Sequence, residues 1–488
     1  MKKFTGIITG VLVVGLILVG PGCRMVKPPE DPAAEWTPPD WAREEQETDP
    51  VQDSLRKRVV EPDQPLSLAR CVEISLANNP STRQAWASAR AAAALIGQAE
   101  SQLYPQLTVS GKGAYLKQKY SFKGASPPIG NSPDTDQFNY GPGLDLTYLL
   151  FDFGGVRAGV EEARQTLLAA NFSFNQAIQD LMLNVEKAYY GFYSSQAALD
   201  AARADVKDTS RAMEAAHQKF QVGLVSKLDD LQARSSYEDS LYKLEAAKGD
   251  VKSAKAVLAE TLGLPADAKI EITKPTRKLP TEISDEDVSK LIEKGLKNRP
   301  DISAQRSTLR AKEAAVGVVE SALWPELNLG GSADKNWYSY RTDPELYNDS
   351  YMYTGYLSLQ WDIFTGFYDL NRKREAREEV EKARESLVEA ELGASADVWT
   401  KYYAFNTAVG KYKFSLAFLS TSQESYNLAL ESYNTGLKSI LDLLQSQSSL
   451  SSARSQLIGA EKDLFTALAA LAHATGSLGV REAEGAEQ

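Results

Sequence analysis

Large apolar residues recur every seven positions in two long stretches of the chain. Residues 178–220 and 398–433 show this spacing, mostly with small residues between the large ones, and the following segments 237–258 and 443–471 repeat it. A period of 3.5 residues per turn over such lengths predicts supercoiled helices that pack knobs into holes. A helix over residues 155–222 would be ~100 Å long, which exceeds the size of a globular domain.

Other segments alternate apolar and polar residues. Residues 138–150 and 351–363 each place an aromatic-rich set on one face and polar residues on the other. Their partners, 107–120 and 327–340, are richer in glycine and alternate more weakly. The lengths match membrane-spanning strands of ~9–11 residues with aromatic ends. Pro142 cannot donate a hydrogen bond to the ladder, which counts against a regular central strand there. The alternative for these segments is a small soluble sheet that caps the helices.

The chain contains one unit written twice. Short landmarks return in the same order in the second half: Asn78–Pro80 and Asn298–Pro300, Tyr104–Leu107 and Trp324–Leu327, Gly223 and Gly436, Gly263 and Gly476. The offset between the halves is 220 residues for the first two pairs and 213 from the pair Phe151 and Phe364 onward, which predicts an insertion in the loop at 121–137. Such regularity indicates a duplication, and each half is predicted to contain a helix, two strands and two long helices.

Four strands cannot close a membrane barrel, because open sheet edges are not tolerated in hydrocarbon. Several chains must therefore contribute to one barrel. Three chains would supply twelve strands, an even number within the range of such barrels.

The N-terminus predicts export and lipid attachment. Lys2 and Lys3 precede a short apolar run at 7–20, the pattern of a secretory signal. Cys23 follows in a segment that resembles a bacterial lipobox, although Gly20 replaces the usual leucine. Ordinary signal cleavage or an uncleaved anchor is the alternative. Residues 24–64, rich in proline and acidic residues, are predicted to form an extended tether.

Composition excludes several classes of function. The 488 residues carry a net charge of −11, which argues against nucleic acid as a partner. Once Cys23 carries lipid, Cys71 has no partner for a disulfide, and we expect it to be buried. The two histidines, His217 and His473, lie on heptad helices without a metal-spaced cluster. No nucleophile, phosphate-loop or zinc motif is present, so no enzyme activity and no cofactor are predicted.

Together these features resemble the TolC-like outer-membrane efflux protein family, in its lipoprotein branch. The resemblance covers Leu66 to Gly476 and rests on the duplication and on the ordered motifs "LANNP" and "LKNRP", "YPQL" and "WPEL", "LFDFGG", "VGLVSKLDDLQAR" and "YNTGLKSILDLLQSQ", and "LGLP". It implies a mainly α fold with a β-barrel portion. Each half would supply a β-hairpin and two coiled-coil helices. As a homotrimer the chain would form a twelve-strand transmembrane barrel and a periplasmic α-helical tunnel.

The resulting domain prediction divides the chain into six parts. These are a signal peptide (1–22), a lipidated tether (23–65), a first repeat (66–265, strands about 105–151, long helices about 155–263), a linker (266–285), a second repeat (286–478, strands about 325–364, long helices about 366–476) and a tail (479–488).

The resemblance implies the outer-membrane channel of a tripartite efflux or type I secretion system. Its partners would be outer-membrane lipid, a periplasmic adaptor and an inner-membrane pump in a Gram-negative-type cell, with most of the chain in the periplasm. The alternative is a periplasmic, lipid-anchored adaptor or scaffold, which would not explain two copies of a strand hairpin. The sequence does not identify the cargo.

The repeated phrase around Gly223 and Gly436 is predicted to form two distal hairpin tips, since glycine tolerates positive φ. By family resemblance these tips meet the adaptor, and the docking residues would be Gly223, Leu224, Val225, Gly436, Leu437 and Ser439. The alternative is that they only make the turns.

The resemblance also implies an entrance gate beside the tips. By matching position, Asp229 corresponds to the acidic residue of the family's gate and Tyr433 to the tyrosine of that gate. Lys438 corresponds to a position that arginine holds in the best-known member. Lysine cannot form the bidentate fork of arginine, so a latch that is weaker or differently arranged is expected. Three copies of Asp442 would form a ring that favours cations, whereas Gln445 replaces a second aspartate. The alternative for these charges is a solvated helix surface.

Overall fold

The computed structural model describes residues 65–118, 135–275, 279, 287–340 and 347–478. Within them the same order of elements occurs twice. The first half contains α1 (Leu68–Asn78), α2 (Pro80–Ser101), β1 (Gln106–Gln118), β2 (Thr135–Phe151), α3 (Gly155–Gln221) and α4 (Lys227–Thr261). The second half contains α5 (Val288–Asn298), α6 (Pro300–Ser321), β3 (Glu326–Tyr340), β4 (Tyr347–Gln360), α7 (Tyr368–Asn434) and α8 (Ile440–Ala474).

Each half begins with two helices where the sequence pattern predicted one, so that detail of the prediction was wrong. The breaks precede Pro80 and Pro300. Asn79 and Arg299 are extended, with ψ of 130° and 127°, because the ring of a following proline disfavours helical backbone. Proline then occupies the first position of the next helix, where its missing N–H has no cost. The repeated Asn-x-Pro landmark is therefore a helix break.

The return helix α8 buries leucines that the seven-residue period predicted. Leu443, Leu450 and Leu464 are each 0% exposed, and the first two share a core cluster with Tyr426 and Tyr433 of α7. The outgoing helices α3 and α7 each have 67 residues, or ~100 Å at 1.5 Å per residue. Helix α8 packs against α3 as well as α7, so the two helical hairpins of one chain lie against each other.

The strands form one antiparallel sheet in the order β1-β2-β3-β4, and the predicted alternation is present. One face carries exposed apolar side chains from all four strands: Leu107, Val109, Tyr115, Phe138, Leu144, Leu146, Leu329, Tyr351, Tyr353, Leu357 and Leu359. The opposite face includes Thr108, Ser110, Lys112, Asn139, Asp145, Asn328, Ser332, Asp334, Thr354 and Ser358. Among the described residues, β1 and β4 each have a partner along one edge only.

Pro142 lies within the central strand β2, and the ladder accommodates it locally. Its pairing with Gly111 of β1 continues, but the pairs between β2 and β3 are interrupted at Gly141 and Pro142. The interruption falls where proline has no N–H to donate. Gly141 fits there because a β-carbon would collide with the backbone carbonyl of Lys335.

The segment that precedes α1 is fastened to the middle of the chain. Leu66 forms a parallel bridge with Ile272, and the Tyr189 hydroxyl on α3 donates to the carbonyl of Thr273 at 2.6 Å. Cys71 is fully buried, as predicted, and burial raises the pKa of its thiol to about 12.

Several predictions concern residues outside the described ranges. They are the signal peptide, Cys23 with its tether, most of the loop insertion, part of the linker and the C-terminal tail. The six domain boundaries stay predictions. No helix in the described part of the chain is long and apolar enough to cross a membrane.

Candidate functional site: the two hairpin tips

Both predicted tips are tight turns of one type. Gly223 and Gly436 adopt φ of +76° and +83°, which favours glycine. Beyond Gly223, the N–H of Leu224 donates to the Lys219 carbonyl at 2.9 Å, and Leu437 makes the corresponding bond at 2.8 Å. This pattern is the Schellman motif, which satisfies the last carbonyls of a helix. The two glycines are therefore needed for the turn itself.

Two capping boxes begin the return helices. Asp229 Oδ2 accepts from the backbone N and the Oγ of Ser226, both at 2.9 Å. Asp442 Oδ2 accepts from the N of Ser439 at 3.1 Å and from its Oγ at 2.8 Å. These bonds lower the pKa of Asp442, and the charge of Lys438 adds to the effect. The repeated Ser-x-x-Asp thus has a local helix-starting role, and a docking role for Ser439 stays a prediction.

The tip leucines have no such local role. Leu224 is 74% exposed and Leu437 is 80% exposed. Leu228 and Leu441 on the first turns of α4 and α8 are also exposed, whereas Val225 is half-buried. Each tip therefore presents a small apolar surface to the solvent in the single chain.

Tyr433 connects the two hairpins within the chain. It is 1% exposed, and Lys219 of α3 donates from Nζ to its backbone carbonyl while lying 4.2 Å from its ring centroid. Burial, and in second place the charge of Asp229, raises the pKa of the Tyr433 phenol. Its hydroxyl has no hydrogen-bond partner among the described residues. We call the Lys219–Tyr433 contact the clasp.

The structure does not place Lys438 in that contact. Lys438 precedes α8, and in the described part of the chain its ion pair is with Asp442 in the first turn of that helix, at 3.9 Å. Asp229 lies near enough to Tyr433 to influence its pKa, and the cation beside Tyr433 is Lys219. The assigned gate roles of Asp229, Lys438 and Asp442 stay predictions.

A polar cluster beside the first tip was missed by the sequence reasoning. Asp230, with a side chain 8% exposed, bonds to His217 Nδ1 at 3.1 Å and to Lys227. These two hydrogen bonds lower the pKa of Asp230, and the bond from Lys227 has the larger effect. His217 and Asp230 lie at nearly equal distances on either side of Gly223, and a hairpin brings such positions together. That symmetry was the available signal.

A second ionic cluster joins the hairpins further from the tips. Arg454 of α8 contacts Asp205 of α3 at 2.5 Å and Asp208 at 3.0 Å, and all three side chains are less than one-fifth exposed. Ser451 also donates to Asp205, at 2.5 Å. Burial, followed by the charge of Asp208, raises the pKa of the nearby Tyr426 to about 12. The cluster fixes α8 against α3.

The side chains at the tips provide hydrogen bonds, charges and apolar contacts. Among the described residues, no group of three or more His, Cys, Asp or Glu side chains is placed to hold a metal. The charges and apolar side chains of the tips are of the kinds used in docking and electrostatic gating.

The sequence pattern of the family described as "Outer membrane efflux protein" matches residues 71–264 and 291–477. Among curated relatives, Protein CyaE of Bordetella pertussis (strain Tohama I) is 27% identical over 355 residues, 72% of each chain. Nodulation protein T of Rhizobium leguminosarum bv. trifolii is 27% identical over 272 residues, 54% of this chain and 55% of that protein. The probable outer membrane lipoprotein SilC of Salmonella typhimurium is 27% identical over 272 residues, 54% of each chain. The chain thus spans about half the length of the last two.

Solved structures share the fold. The outer-membrane channel OprN superposes with a TM-score of 0.71 at 21% identity, over 87% of this chain and 96% of that one. The Campylobacter jejuni CmeC outer membrane channel gives 0.70 at 20% identity, over 85% and 88%. At these identities the likeness concerns the fold.

Proposed function

The chain belongs to the outer membrane efflux protein family, as a channel component and not an enzyme, and from this premise we propose that it forms a homotrimeric passive conduit for export. Family membership rests on a match that covers most of both repeats. We propose in addition that the chain forms a trimer, docks partners, has a gate and carries a lipid anchor.

The sheet carries the argument for a trimer. Its two outer strands, β1 and β4, each have one edge without a partner in the described chain, and one whole face exposes apolar side chains. Open edges and an apolar face are compatible with a membrane only if neighbouring sheets close the ring. Three copies of four strands give a twelve-strand barrel. The helices of the three chains would continue it as a periplasmic tunnel.

The trimer can be tested with the full chain purified in detergent. Native mass spectrometry should give three copies, and reconstitution in a planar bilayer should give ion conductance. A monomer without conductance would rule the conduit out. A lipid-anchored adaptor, the alternative class, would instead become water-soluble once the signal and Cys23 are removed, whereas a barrel would still need detergent.

The closed entrance is proposed to depend on the clasp. Lys219 belongs to the first helical hairpin and Tyr433 to the second, so the two hairpins cannot separate at their tips while the contact persists. Asp229 and Lys438 would act beside it, and three Asp442 side chains would favour cations at the aperture.

The tips are proposed to dock a periplasmic adaptor that connects the channel to an inner-membrane pump. Leu224 and Leu437 provide exposed apolar contacts at each tip, next to the turns at Gly223 and Gly436. Val225 and Ser439 would complete the surface. Crosslinking from the tips in cells would identify the adaptor and hence the pump.

Anchoring at Cys23 is proposed to supplement the barrel in the outer membrane. SilC is named as a probable outer membrane lipoprotein. Mass spectrometry of the mature N-terminus tests the assignment, since acylation adds a lipid mass at Cys23 that Cys23→Ser removes. The transported cargo is left unassigned.

A further inference from the structure

The apolar face of the sheet carries a lysine near one end. Lys335 of β3 lies opposite Tyr351 of β4, and its Nζ donates to the Tyr351 hydroxyl at 2.7 Å. The same nitrogen is 4.8 Å from the Tyr351 ring centroid and 5.0 Å from that of Trp337. Tyr140 on β2 extends this aromatic group, with its ring centroid 5.5 Å from that of Trp337. A lysine ammonium is thus positioned by two rings.

The register shows that this lysine is on the apolar face. Leu329 pairs with Leu357, Ala333 with Tyr353 and Lys335 with Tyr351, and every second residue of a strand faces the same way. In the proposed barrel, which this inference assumes, that face contacts lipid. Lys335 is therefore a cation on the lipid side of the wall.

The depth of Lys335 corresponds to a membrane interface. From Leu327, the first residue of the apolar face on β3, to Lys335 the strand rises ~26 Å along its axis. A tilt of ~40° reduces this to ~20 Å, close to the far border of the ~25 Å apolar band of such barrels. The long helices join the sheet at the other end, beside Glu326 and Gln360. With those helices in the periplasm, Lys335 lies at the outer leaflet.

The charge of Lys335 has no paired carboxylate in the described chain. Asp349 stands opposite Trp337 in the register and contributes a negative charge nearby, but it forms no ion pair with Lys335 among the described residues. By contrast, Lys112 on the polar face pairs with Asp334 at 3.4 Å. An anion of the membrane itself can supply the missing charge.

We propose that Lys335, Tyr351 and Trp337 bind the phosphate of a phosphorylated lipid headgroup in the outer leaflet. The ammonium uses one proton for the Tyr351 oxygen and has two left for phosphate oxygens. Because the Tyr351 oxygen accepts that bond, its own proton is free to be donated to the phosphate. The Trp337 ring lies 5.0 Å from the ammonium nitrogen and holds it by a cation–π contact, and tryptophan is enriched at membrane interfaces. The trimer has three such sites.

The test uses the detergent-purified trimer and lipid A with and without its phosphates, measured by native mass spectrometry. Lys335→Gln should weaken retention of phosphorylated lipid A about fivefold, the effect of one lysine at an anionic membrane surface. Lys335→Arg should preserve retention, and Tyr351→Phe should weaken it. The matched control Lys112→Gln should retain the lipid like wild type. Removing the phosphates should weaken binding to wild type more than binding to Lys335→Gln.

Two results would overturn the lipid site. One is equal retention by wild type and Lys335→Gln, and the other is displacement of lipid A by excess inorganic phosphate, which would show an anion site without lipid preference. Trimer mass and conductance are recorded on the same samples. A conducting trimer whose lipid binding ignores Lys335 refutes this inference alone, whereas a wild-type protein that neither trimerises nor conducts refutes the proposed conduit.

Discussion

Gly476, just beyond α8, packs against the backbone of Asn298, at the end of α5. A β-carbon on Gly476 would lie 2.8 Å from the carbonyl carbon of Asn298, closer than real contacts allow. Gly263 stands in the same relation to Asn78 in the first half. In each half, therefore, the Asn-x-Pro break contacts the glycine that ends the return helix. These two landmarks of the duplication are far apart in sequence, and their contact occurs once in each repeat.

Gly476→Ala should destabilise the protein by roughly 1–3 kcal/mol. The residue has φ of +66°, which costs an L-residue about 1–2 kcal/mol, and its contact with Asn298 must also loosen. Thermal unfolding of the purified chain measures the change. Gly459→Ala is the matched control in the middle of α8, where no atom beyond the adjacent residues and the helix's own nearby backbone lies within 4 Å of the added carbon. It should be neutral or stabilising, and an equal loss in both variants would contradict the packing argument.

Periodicity predicted those parts of the fold that repeat a simple spacing. The leucines of α8 and the alternating side chains of β4 were predicted, because burial on one side of a helix or strand imposes a period on the sequence. The break before Pro80 was missed, although the rule for the residue before proline was available. The capping boxes at Ser226 and Ser439 were also readable from Ser-x-x-Asp, but only a docking role was predicted for Ser439.

The clasp could not be predicted in the same way. Lys219 and Tyr433 lie on helices of different hairpins, and no period relates them. Their contact depends on how α8 packs along α3, which is fixed by many side chains together. The resemblance assigned Lys438 to the gate, and within the described chain the ion pair of Lys438 is with Asp442.

Lys219→Met should loosen the entrance. A hydrogen bond from a charged donor contributes ~1.5–3 kcal/mol, and because Lys219 is partly exposed we expect a shift of about tenfold toward the open state. Single-channel recordings in planar bilayers should show higher open probability or conductance. Lys207→Met removes an exposed lysine from the same helix and serves as the control. Closed-state conductance that is the same in both variants would exclude the clasp as a latch.

The two functions of Asp442 can be separated by comparing two variants. Asp442→Asn removes the charge but keeps an oxygen for the capping box, so cation preference should fall while thermal stability changes little. Ser439→Ala keeps the charge and removes the N-cap oxygen, at a cost of ~1 kcal/mol. Reversal potentials in a salt gradient measure selectivity. If Asp442→Asn leaves the reversal potential unchanged, Asp442 does not line the aperture.

Asp230 should make the first tip sensitive to acid. The pKa of Asp230 is lowered in the folded chain by Lys227 and His217, so its stabilising effect is complete above the unfolded value of ~3.9. The effect is lost as the pH falls through the lowered value, when the carboxylate takes up a proton. Melting temperatures across this acidic range should fall more steeply for wild type than for Asp230→Asn. Parallel curves for the two proteins would show that the cluster adds no acid sensitivity.

Leu357→Lys tests which face of the sheet contacts lipid. Leu357 is 63% exposed in the isolated chain and pairs with Leu329 in the middle of the apolar face. A lysine at the midplane of a barrel's lipid face costs ~2–4 kcal/mol per chain, so trimer recovered from membranes should fall sharply. Ser358→Lys places the same charge one residue away on the opposite face, where water in the proposed lumen can solvate it. Comparable trimer yields from the two variants would mean that the apolar face does not contact lipid.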